Sequence, residues 1–257
     1  MGDHKLDLFN LQGKVAVVCG AGGGIGGAIA QALAGYGANI MIVDRDLASA
    51  RSNADRISGM GARALAYGLD ITDLAAIEKM TEAAVAEFSR IDILVNSAGM
   101  NIRKAVVDIR QQDWDPVIDV NLKGAVFCCQ AAARIMIKQN KGKIINIASI
   151  SSILGHPDRA AYAASKGGLI QVTKVMATEW ARHNICVNAI SPAAVDTPFI
   201  DGLKKNRERL DREKARIPLG RIAIPEDIMG AAVLLAPDAS DFITGHNLII
   251  DGGRIVD

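Results

Sequence analysis

Residues 14–30 read KVAVVCGAGGGIGGAIA, in which an apolar, β-branched run is followed by a cluster of glycines and then by small helix-forming residues. The run 14–19 is short and almost wholly apolar, which is typical of a strand buried on both faces of a parallel sheet. The glycines predict a tight turn, and the small residues after them predict a helix. The stretch therefore indicates a strand–turn–helix unit, the first half of a β-α-β motif.

The glycine cluster offers two registers. Gly22, Gly24 and Gly27 fit the pattern G-x-G-x-x-G, whereas Gly20, Gly24 and Gly26 fit G-x-x-x-G-x-G. Because the strand ends immediately before Gly20, the first tight turn falls there, and we favour the second register. In either register, backbone can approach a pyrophosphate closely and the helix N-terminus offers unpaired N–H groups to it. A tight turn with no ligand is the alternative.

The same alternation continues along the chain. β-rich runs alternating with helices predict a parallel sheet covered on both faces, hence an α/β, Rossmann-like, doubly wound fold with seven strands and a ligand site at their carboxyl ends. We expect strands at 14–19, 39–44, 62–70, 91–99, 143–149, 185–191 and 247–253, and later helices at 113–139, 160–183 and 225–235. Since no linker or repeat divides the chain, residues 1–257 are expected to form a single dinucleotide-binding and catalytic domain.

Composition argues against several kinds of partner. Half of the residues are hydrophobic but only 4% are aromatic, so the core must consist of Ala, Val, Ile and Leu. A net charge of +1 argues against nucleic acid or an anionic membrane surface. We expect no signal peptide, and no apolar run is long enough to cross a bilayer. The four cysteines lack metal-ligand spacing, which predicts buried, reduced thiols in a cytoplasmic protein and no metal site.

Asp44 ends the second predicted strand, where a carboxylate can accept hydrogen bonds from the 2′-hydroxyl of an adenosine ribose. A 2′-phosphate would meet a negative charge there, and the glycine loop carries no Lys or Arg to receive it. We therefore expect NAD rather than NADP. Arg45 could turn toward a phosphate, although a solvated surface arginine is the alternative.

The next two strand ends extend the predicted cofactor site. Asp70 and Ile71 close the third strand and could flank adenine. Residues from Asn96 to Gly99 close the fourth, where small side chains leave room for a cofactor. A simple turn is the alternative interpretation of this segment.

Tyr162 stands four positions before Lys166 on a predicted helix, so the two side chains share a face. A tyrosine with the usual pKa of ~10 is a poor base near neutrality. At an effective dielectric of ~20, an ammonium ~4 Å away contributes about 4 kcal/mol, enough to lower the pKa by roughly three units. The spacing thus predicts an activated phenol, while a surface pair is the alternative. Ser149, at the end of the fifth strand, could hydrogen-bond a substrate oxygen or simply cap the strand.

These pieces together resemble the classical short-chain dehydrogenase/reductase family from Gly13 to Gly253. The resemblance is carried by CGAGGGIG, NSAG, VNLKG, IAS, YAASK, SPAAVDT and IDGG, in that order. Three positions depart from the family pattern. Cys19 replaces Thr, Ser97 replaces Asn, and Ala193 replaces a Gly, which restricts the backbone at the nicotinamide end.

The resemblance implies hydride transfer between nicotinamide and a secondary alcohol or ketone, with Tyr162 moving the proton. It implies that Asn121 anchors a water and that Lys166 holds the nicotinamide ribose. The implied catalytic residues are Asn121, Ser149, Tyr162 and Lys166. The implied cofactor-binding residues are Gly20, Gly24, Ile25, Gly26, Asp44, Arg45, Asp70, Ile71, Asn96, Gly99, Tyr162, Lys166, Pro192, Val195 and Thr197.

The loop after the fourth strand, GMNIRK, should border the substrate. Arg103 could hold a carboxylate there, or it could be a solvated loop arginine. Ser151 and His156 follow Ser149 and could also reach the substrate. NIRK, EWARHNICVNAISP and GRIAIPEDIMGAAVLLA are similar to the sugar-acid and polyol dehydrogenases of the family, such as gluconate 5-dehydrogenase.

Two further expectations concern movement and assembly. The charged segment 201–217 is expected to form a helix within a substrate lid at 193–218, with a solvated helix as the alternative. The resemblance implies a homotetramer. The helices carrying residues 121–139 and 162–183 would form a dimer interface, and the C-terminal strand would complete the tetramer. A 3-oxoacyl-carrier or steroid ketoreductase is the alternative enzyme, and a non-catalytic dinucleotide-sensing protein is the alternative of another class.

Overall fold

A computed structural model describes residues 8–256. Seven parallel strands form one sheet in the order β3-β2-β1-β4-β5-β6-β7. The strands are β1 (Val15–Cys19), β2 (Asn39–Asp44), β3 (Ala64–Gly68), β4 (Ile93–Asn96), β5 (Gly142–Ile147), β6 (Ile185–Pro192) and β7 (Asn247–Ile250). The order reverses between β1 and β4, which places a crevice at the carboxyl ends of these two strands. The predicted doubly wound fold is confirmed.

Helices cover both faces of this sheet. They are α1 (Gly24–Gly35), α2 (Leu47–Gly59), α3 (Leu74–Phe88), α4 (Gln111–Ile118), α5 (Ala125–Gln139), α6 (Ala160–Trp180), α7 (Asp201–Lys204), α8 (Arg207–Ala215) and α9 (Glu226–Leu235). The N-cap side chains of Asp46 and Asp73 accept backbone N–H groups at the starts of α2 and α3. These caps satisfy donors that the helix itself leaves unpaired and so set where each helix begins.

The core forms two layers, one on each face of the sheet. Along β1, Val15, Val17 and Cys19 face one layer, which contains residues of α3, α5 and α6. Ala16 and Val18 face the other, which contains residues of α1, α2 and α9. Both layers consist mainly of aliphatic side chains. A sheet buried on both faces needs apolar residues at successive positions, which is why the strands lack a polar alternation.

The predicted long helix at 113–139 is interrupted. It starts earlier, at Gln111, because the Asp113 carboxylate accepts the backbone N–H of Arg110 at 3.2 Å. Between α4 and α5, residues Asp119–Gly124 form a turn of π-helix. Such turns are often found at functional sites, and this one carries Asn121.

The charged segment 201–217 was expected to be one helix and instead forms α7 and α8. The chain breaks at Asn206, whose side chain accepts the backbone N–H of Arg209 at 3.0 Å and caps α8. Asparagine favours a cap over a helix interior because its amide competes for backbone groups.

The helical stretch Gln111–Gln139 is long and apolar enough, by length and composition alone, to cross a membrane. Half of its most apolar window is buried within the fold, as in a core helix of a globular protein. The four cysteines are all free and buried, as expected.

Candidate active site

The loops at the carboxyl ends of the strands enclose a cavity of about 660 Å³. Its wall contains every predicted site residue except Asn96 and Asn121. The predicted residues that line it are Gly20, Gly24, Ile25, Gly26, Asp44, Arg45, Asp70, Ile71, Gly99, Arg103, Ser149, Ser151, His156, Tyr162, Lys166, Pro192, Val195 and Thr197. The ends of six strands therefore contribute to one space, as the doubly wound sheet requires.

The glycine turn meets strict steric demands at three positions. Gly20 and Gly24 adopt φ values of +76° and +55°, in the left-handed region that favours glycine. A Cβ on Gly26 would lie 2.2 Å from the carbonyl oxygen of Gly20, so only glycine lets α1 pack against the turn. These are the three glycines of the favoured register.

The same turn can receive a dinucleotide. A Cβ on Gly23 would meet nothing within 4 Å, so the outer side of the turn is open. No side chain caps α1 at Gly23, and the first N–H groups of the helix therefore face the cavity side without a side-chain partner. Open backbone with unpaired N–H groups at a helix N-terminus fits a pyrophosphate.

Asp44 ties the end of β2 to this turn. Its two carboxylate oxygens accept the backbone N–H of Gly22 at 2.9 Å and that of Asp46 at 3.0 Å. Asp44 therefore has a structural role besides its predicted contact with a ribose. Each oxygen keeps further lone-pair capacity, so the contact with a ribose hydroxyl remains open to it.

Asp70 lines the cavity just beyond the end of β3. Its carboxylate accepts the backbone N–H of Thr72 at 2.9 Å and the hydroxyl of Thr72 at 2.8 Å. These two hydrogen bonds lower the pKa of Asp70, which keeps the carboxylate charged.

Asn96 is not among the residues that line the cavity, and its side chain is buried. Its side-chain nitrogen donates to the Asn146 Oδ1 at 2.9 Å and to the Ala125 carbonyl at 3.2 Å. The pleat of β4 directs this side chain toward α5 and the neighbouring strand β5, away from the ligand space. The amide instead joins β4 to β5 beneath the site.

Asn121 lies behind the cavity wall, fully buried in the π-helical turn. Its amide oxygen accepts the Met100 N–H at 2.8 Å, and its nitrogen donates to the Met100 carbonyl at 2.8 Å. The same nitrogen lies 3.1 Å from the hydroxyl of Ser165, on the Tyr162 helix. Asn121 thus holds the loop after β4 against α6, where Tyr162 and Lys166 stand.

Ser149 leads into a 3₁₀ turn at Ile150–Ser152, and its hydroxyl accepts the backbone N–H of Ser151 at 3.1 Å. The Ser151 hydroxyl and the Nδ1 of His156 are 3.1 Å apart. Burial, together with the charge of Arg159, lowers the pKa of His156 and favours a neutral ring. The three predicted polar residues after β5 thus form one connected group at the cavity wall.

Tyr162 is buried, with its ring 5.8 Å from that of Phe199. Burial raises the pKa of Tyr162, while a hydrogen bond with Ser149 and the charge of Arg159 act in the opposite direction. Arg159 thus supplies a charge that favours the phenolate, and the predicted effect of Lys166 stays a prediction.

Lys166 directs its ammonium toward the backbone at the end of β5. Its Nζ donates to the carbonyl of Ile147 at 2.7 Å and lies 5.9 Å from the centroid of the Tyr162 ring. Burial lowers the pKa of Lys166 to about 8. A lysine held this way is a fixed donor on the cavity wall next to Gly99 and Ser149.

The loop after β6 forms the far wall. The Ala193 N–H donates to the Ile250 carbonyl at 3.0 Å, and the Thr197 hydroxyl donates to the Val195 carbonyl at 3.3 Å. Ala193, which replaces a family glycine, is not among the residues with positive φ. This backbone therefore does not need glycine at position 193.

Sequence reasoning missed several residues of the cavity wall. Arg159, Phe199 and Glu213 all line it. Arg159 lies three residues before Tyr162, and this i, i+3 spacing at the start of the helix was the available signal. Phe199 and Glu213 come from the segment after β6, whose path no local pattern specifies. Among residues 8–256, no three His, Cys, Asp or Glu side chains cluster in a way that could hold a metal ion.

Comparison with known proteins agrees with this geometry. Residues 20–254 match the family model described as Enoyl-(Acyl carrier protein) reductase. The chain is 41% identical over 249 residues to 2-dehydro-3-deoxy-D-gluconate 5-dehydrogenase of Escherichia coli (strain K12), across 96% of this chain and 98% of that protein. It is 42% identical to D-threitol dehydrogenase of Mycolicibacterium smegmatis, across 96% of this chain and 95% of that one.

A solved structure of a gluconate 5-dehydrogenase from Burkholderia cenocepacia J2315, in complex with NADP and tartrate, has a TM-score of 0.95 at 38% identity, across 99% of this chain and 100% of that one. A parallel sheet that brings a glycine turn, a serine, a tyrosine and a lysine to one cavity defines a nicotinamide-dependent oxidoreductase acting on alcohol groups. The chain belongs to the short-chain dehydrogenase/reductase family. The resemblance to its sugar-acid and polyol members is confirmed.

Proposed function

We propose that the protein transfers hydride between a nicotinamide dinucleotide and a secondary alcohol or ketone of a sugar acid or polyol. The observation that carries this proposal is that Ser149, Tyr162 and Lys166 line the same cavity as the glycine turn. Relatives named for a sugar acid and for a polyol support the substrate class.

The chain's own residues divide the work of the reaction. When bound, the dinucleotide supplies or accepts the hydride. Tyr162 takes the proton of the substrate hydroxyl during oxidation and returns it during reduction. Ser149, which lines the same cavity as Tyr162, holds the substrate oxygen and stabilises charge that develops there. The buried Lys166 ammonium would hold the nicotinamide ribose, and Asn121 keeps the loop after β4 in place beside it.

NAD is the proposed cofactor. The support is the carboxylate of Asp44 at the end of β2, which favours ribose hydroxyls and opposes a 2′-phosphate. Arg45, beside it on the cavity wall, is the group that would favour NADP. The structure of the gluconate 5-dehydrogenase described above contains NADP. The ratio of kcat/KM values for NAD and NADP therefore tests the preference of this protein.

A 3-oxoacyl-carrier reductase is the second candidate, favoured by a relative of that name from Thermotoga maritima that is 39% identical over 249 residues. A steroid ketoreductase would be expected to have a cavity with bulky apolar walls at the substrate end. Arg103 and Arg159 line the cavity instead, which supports a polar, acidic substrate. A dinucleotide sensor without turnover would not need Ser149, Tyr162 and Lys166 together.

The test is a panel of sugar acids, polyols, 3-oxoacyl thioesters and ketosteroids with NAD(H) and NADP(H), followed by absorbance of the reduced cofactor. We expect turnover of sugar acids or polyols, and near-complete loss of turnover with retained cofactor binding in Tyr162→Phe. Binding of NADH with no turnover of any compound would support the sensor. Wild-type rates in Tyr162→Phe would overturn the mechanism.

We also propose a cytoplasmic homotetramer and a lid formed by residues 193–218. The family resemblance and the exposed side chains of Val175 on α6 and Phe242 before β7 support the assembly. Glu213 of α8, which lies on the cavity wall, supports the lid. Analytical ultracentrifugation tests the tetramer, and protection of α8 from proteolysis by bound substrate tests the lid.

A further inference from the structure

Two arginines stand at the substrate end of the cavity. Arg103 comes from the loop after β4, and Arg159 immediately precedes α6, three residues before Tyr162. The backbone brings the two segments together, because the Lys104 N–H donates to the Asp158 carbonyl at 3.1 Å and Lys104 pairs with Arg159 in a parallel β-bridge. Arg103 and Arg159 therefore extend from neighbouring backbone segments, and both line the cavity.

Arg159 is held in place but left without a full set of partners. Its carbonyl accepts the Ala163 N–H at 2.8 Å, which anchors it to the first turn of α6. Its Nε is buried and has no hydrogen-bond partner among residues 8–256. By contrast, the exposed Arg63 and Arg110 each pair with a carboxylate. Because Arg159 lines the cavity and has an unpaired N–H, it is a residue that a ligand carboxylate could pair with.

The charges around Arg159 also favour an anion. Burial lowers the pKa of Arg103, and the nearby charge of Arg159 lowers it further, so the two guanidinium groups repel one another. Glu213 of α8 lines the same cavity, and its charge acts on Arg103 in the opposite direction. Planar guanidinium groups bind carboxylates in bidentate fashion, which gives direction as well as affinity.

We propose that Arg159, together with Arg103, binds the carboxylate of the substrate and makes the site selective for sugar acids over neutral polyols. This inference rests on the proposed function, since it names the substrate class of the same cavity. Its distinctive element is Arg159. The relatives include proteins named for an acid and for a neutral polyol, so the family alone does not choose between them.

Glu213 gives the proposal a second, opposite consequence. A carboxylate that lines the cavity and acts on Arg103 competes with the carboxylate of the substrate. Removing its charge should therefore strengthen the binding of acids, whereas removing Arg159 should weaken it. Glu208 on the same helix is a matched control, because it is exposed and lies next to Arg212 in an i, i+4 pair.

The first experiment compares kcat/KM for gluconate and its neutral analogue glucitol in the wild type, Arg159→Gln and Arg159→Lys. We expect Arg159→Gln to lose about 30-fold or more for the acid and to change about threefold or less for the polyol. Arg159→Lys should recover part of the loss, because it restores charge without the bidentate geometry. An equal fall for both substrates would mean that Arg159 acts through Tyr162 or through the fold, and would overturn the proposal, as would no fall for either.

The second experiment does not depend on turnover. Isothermal titration calorimetry with tartrate, in the presence of saturating dinucleotide, measures carboxylate binding directly. We expect weaker binding in Arg159→Gln, tighter binding in Glu213→Gln and unchanged binding in Glu208→Gln. Unchanged affinity in both Arg159→Gln and Glu213→Gln would overturn the proposal. If Arg159→Gln does not fold, Glu213→Gln alone decides by its sign.

The two proposals fail in different ways. If the wild type turns over no sugar acid and no polyol with either cofactor, the proposed function is wrong. The tartrate titration then still shows whether Arg159 binds a carboxylate. A wild type that turns over glucitol at least as well as gluconate keeps the proposed function and overturns the selectivity inferred from Arg159.

Discussion

One carboxylate oxygen of Asp44 accepts the backbone N–H of Gly22 at 2.9 Å, which joins the end of β2 to the turn after β1. A Cβ on Gly22 would lie 3.0 Å from that same oxygen, so the two residues are in direct contact. The acid expected to select the cofactor therefore also shapes the turn that receives it. Changes at Asp44 should affect both selectivity and the order of the turn.

Asp44→Ser should lower the preference for NAD over NADP. Removing a negative charge beside the ribose removes its repulsion of a 2′-phosphate, and the ratio of kcat/KM values for NAD and NADP should fall by about tenfold or more. The hydroxyl can still accept one backbone N–H, so the turn should persist. Steady-state kinetics with both cofactors measures the ratio, and an unchanged ratio would show that Asp44 serves the turn alone.

Lys166 should make stability depend on pH in a defined direction. Its pKa is about 8 in the folded chain against 10.5 ordinarily, so the unfolded state binds more protons between these values. The free energy of unfolding contributed by this group therefore rises with pH across that window, by about 3 kcal/mol in total.

The comparison that isolates this effect is Lys166→Met, which has no charge to bury. The difference in unfolding free energy between wild type and Lys166→Met should shift in favour of the wild type between about pH 7 and pH 10.5. Urea denaturation at matched protein concentration measures it. A difference that stays constant with pH would contradict the burial of a charged amine.

Asn121→Ala should reduce both stability and turnover. The substitution leaves the N–H and carbonyl of Met100 without their partner, at a cost of about 2 kcal/mol or more. The loop after β4 should then loosen beside Lys166, and kcat should fall. Ser165→Ala is the matched variant, because it leaves both Met100 contacts intact and removes the 3.1 Å contact with Asn121 together with the 2.7 Å hydrogen bond to the Tyr162 carbonyl. We expect Ser165→Ala to lower stability and turnover less than Asn121→Ala. A larger loss in Ser165→Ala would argue against the role of the contacts between Asn121 and Met100.

Gly23 and Gly26, three residues apart in the glycine turn, should differ strongly in their response to substitution by alanine. A Cβ on Gly26 would lie 2.2 Å from the Gly20 carbonyl oxygen, so Gly26→Ala should destabilise by about 3 kcal/mol or more. Gly23 has extended backbone and nothing within 4 Å of a Cβ, so Gly23→Ala should change stability by less than about 1 kcal/mol. Thermal denaturation of the two variants decides, and equal losses would refute this account of the turn.

Some sequence expectations differ from the structure in an instructive way. The pairing of Tyr162 with Lys166 was inferred from their i, i+4 spacing, and the two side chains do line one cavity. The ammonium is bound to the Ile147 carbonyl, a partner that the spacing does not indicate. Spacing along a helix fixes which face a side chain occupies, whereas its hydrogen-bond partner belongs to a different strand.

The sequence by itself determined the order of strands and helices, the parallel sheet and the strand ends at which functional residues stand. These features follow from local hydrophobic periodicity and from glycines whose backbone conformation no other residue adopts easily. Only the tertiary structure decided that Asn96 points away from the ligand space, that residues 201–217 break at Asn206, and that Arg159 joins Arg103 at the substrate end. The physical reason is that these outcomes depend on the phase of a pleat, on a capping side chain and on contacts between segments distant in sequence, which no local pattern encodes.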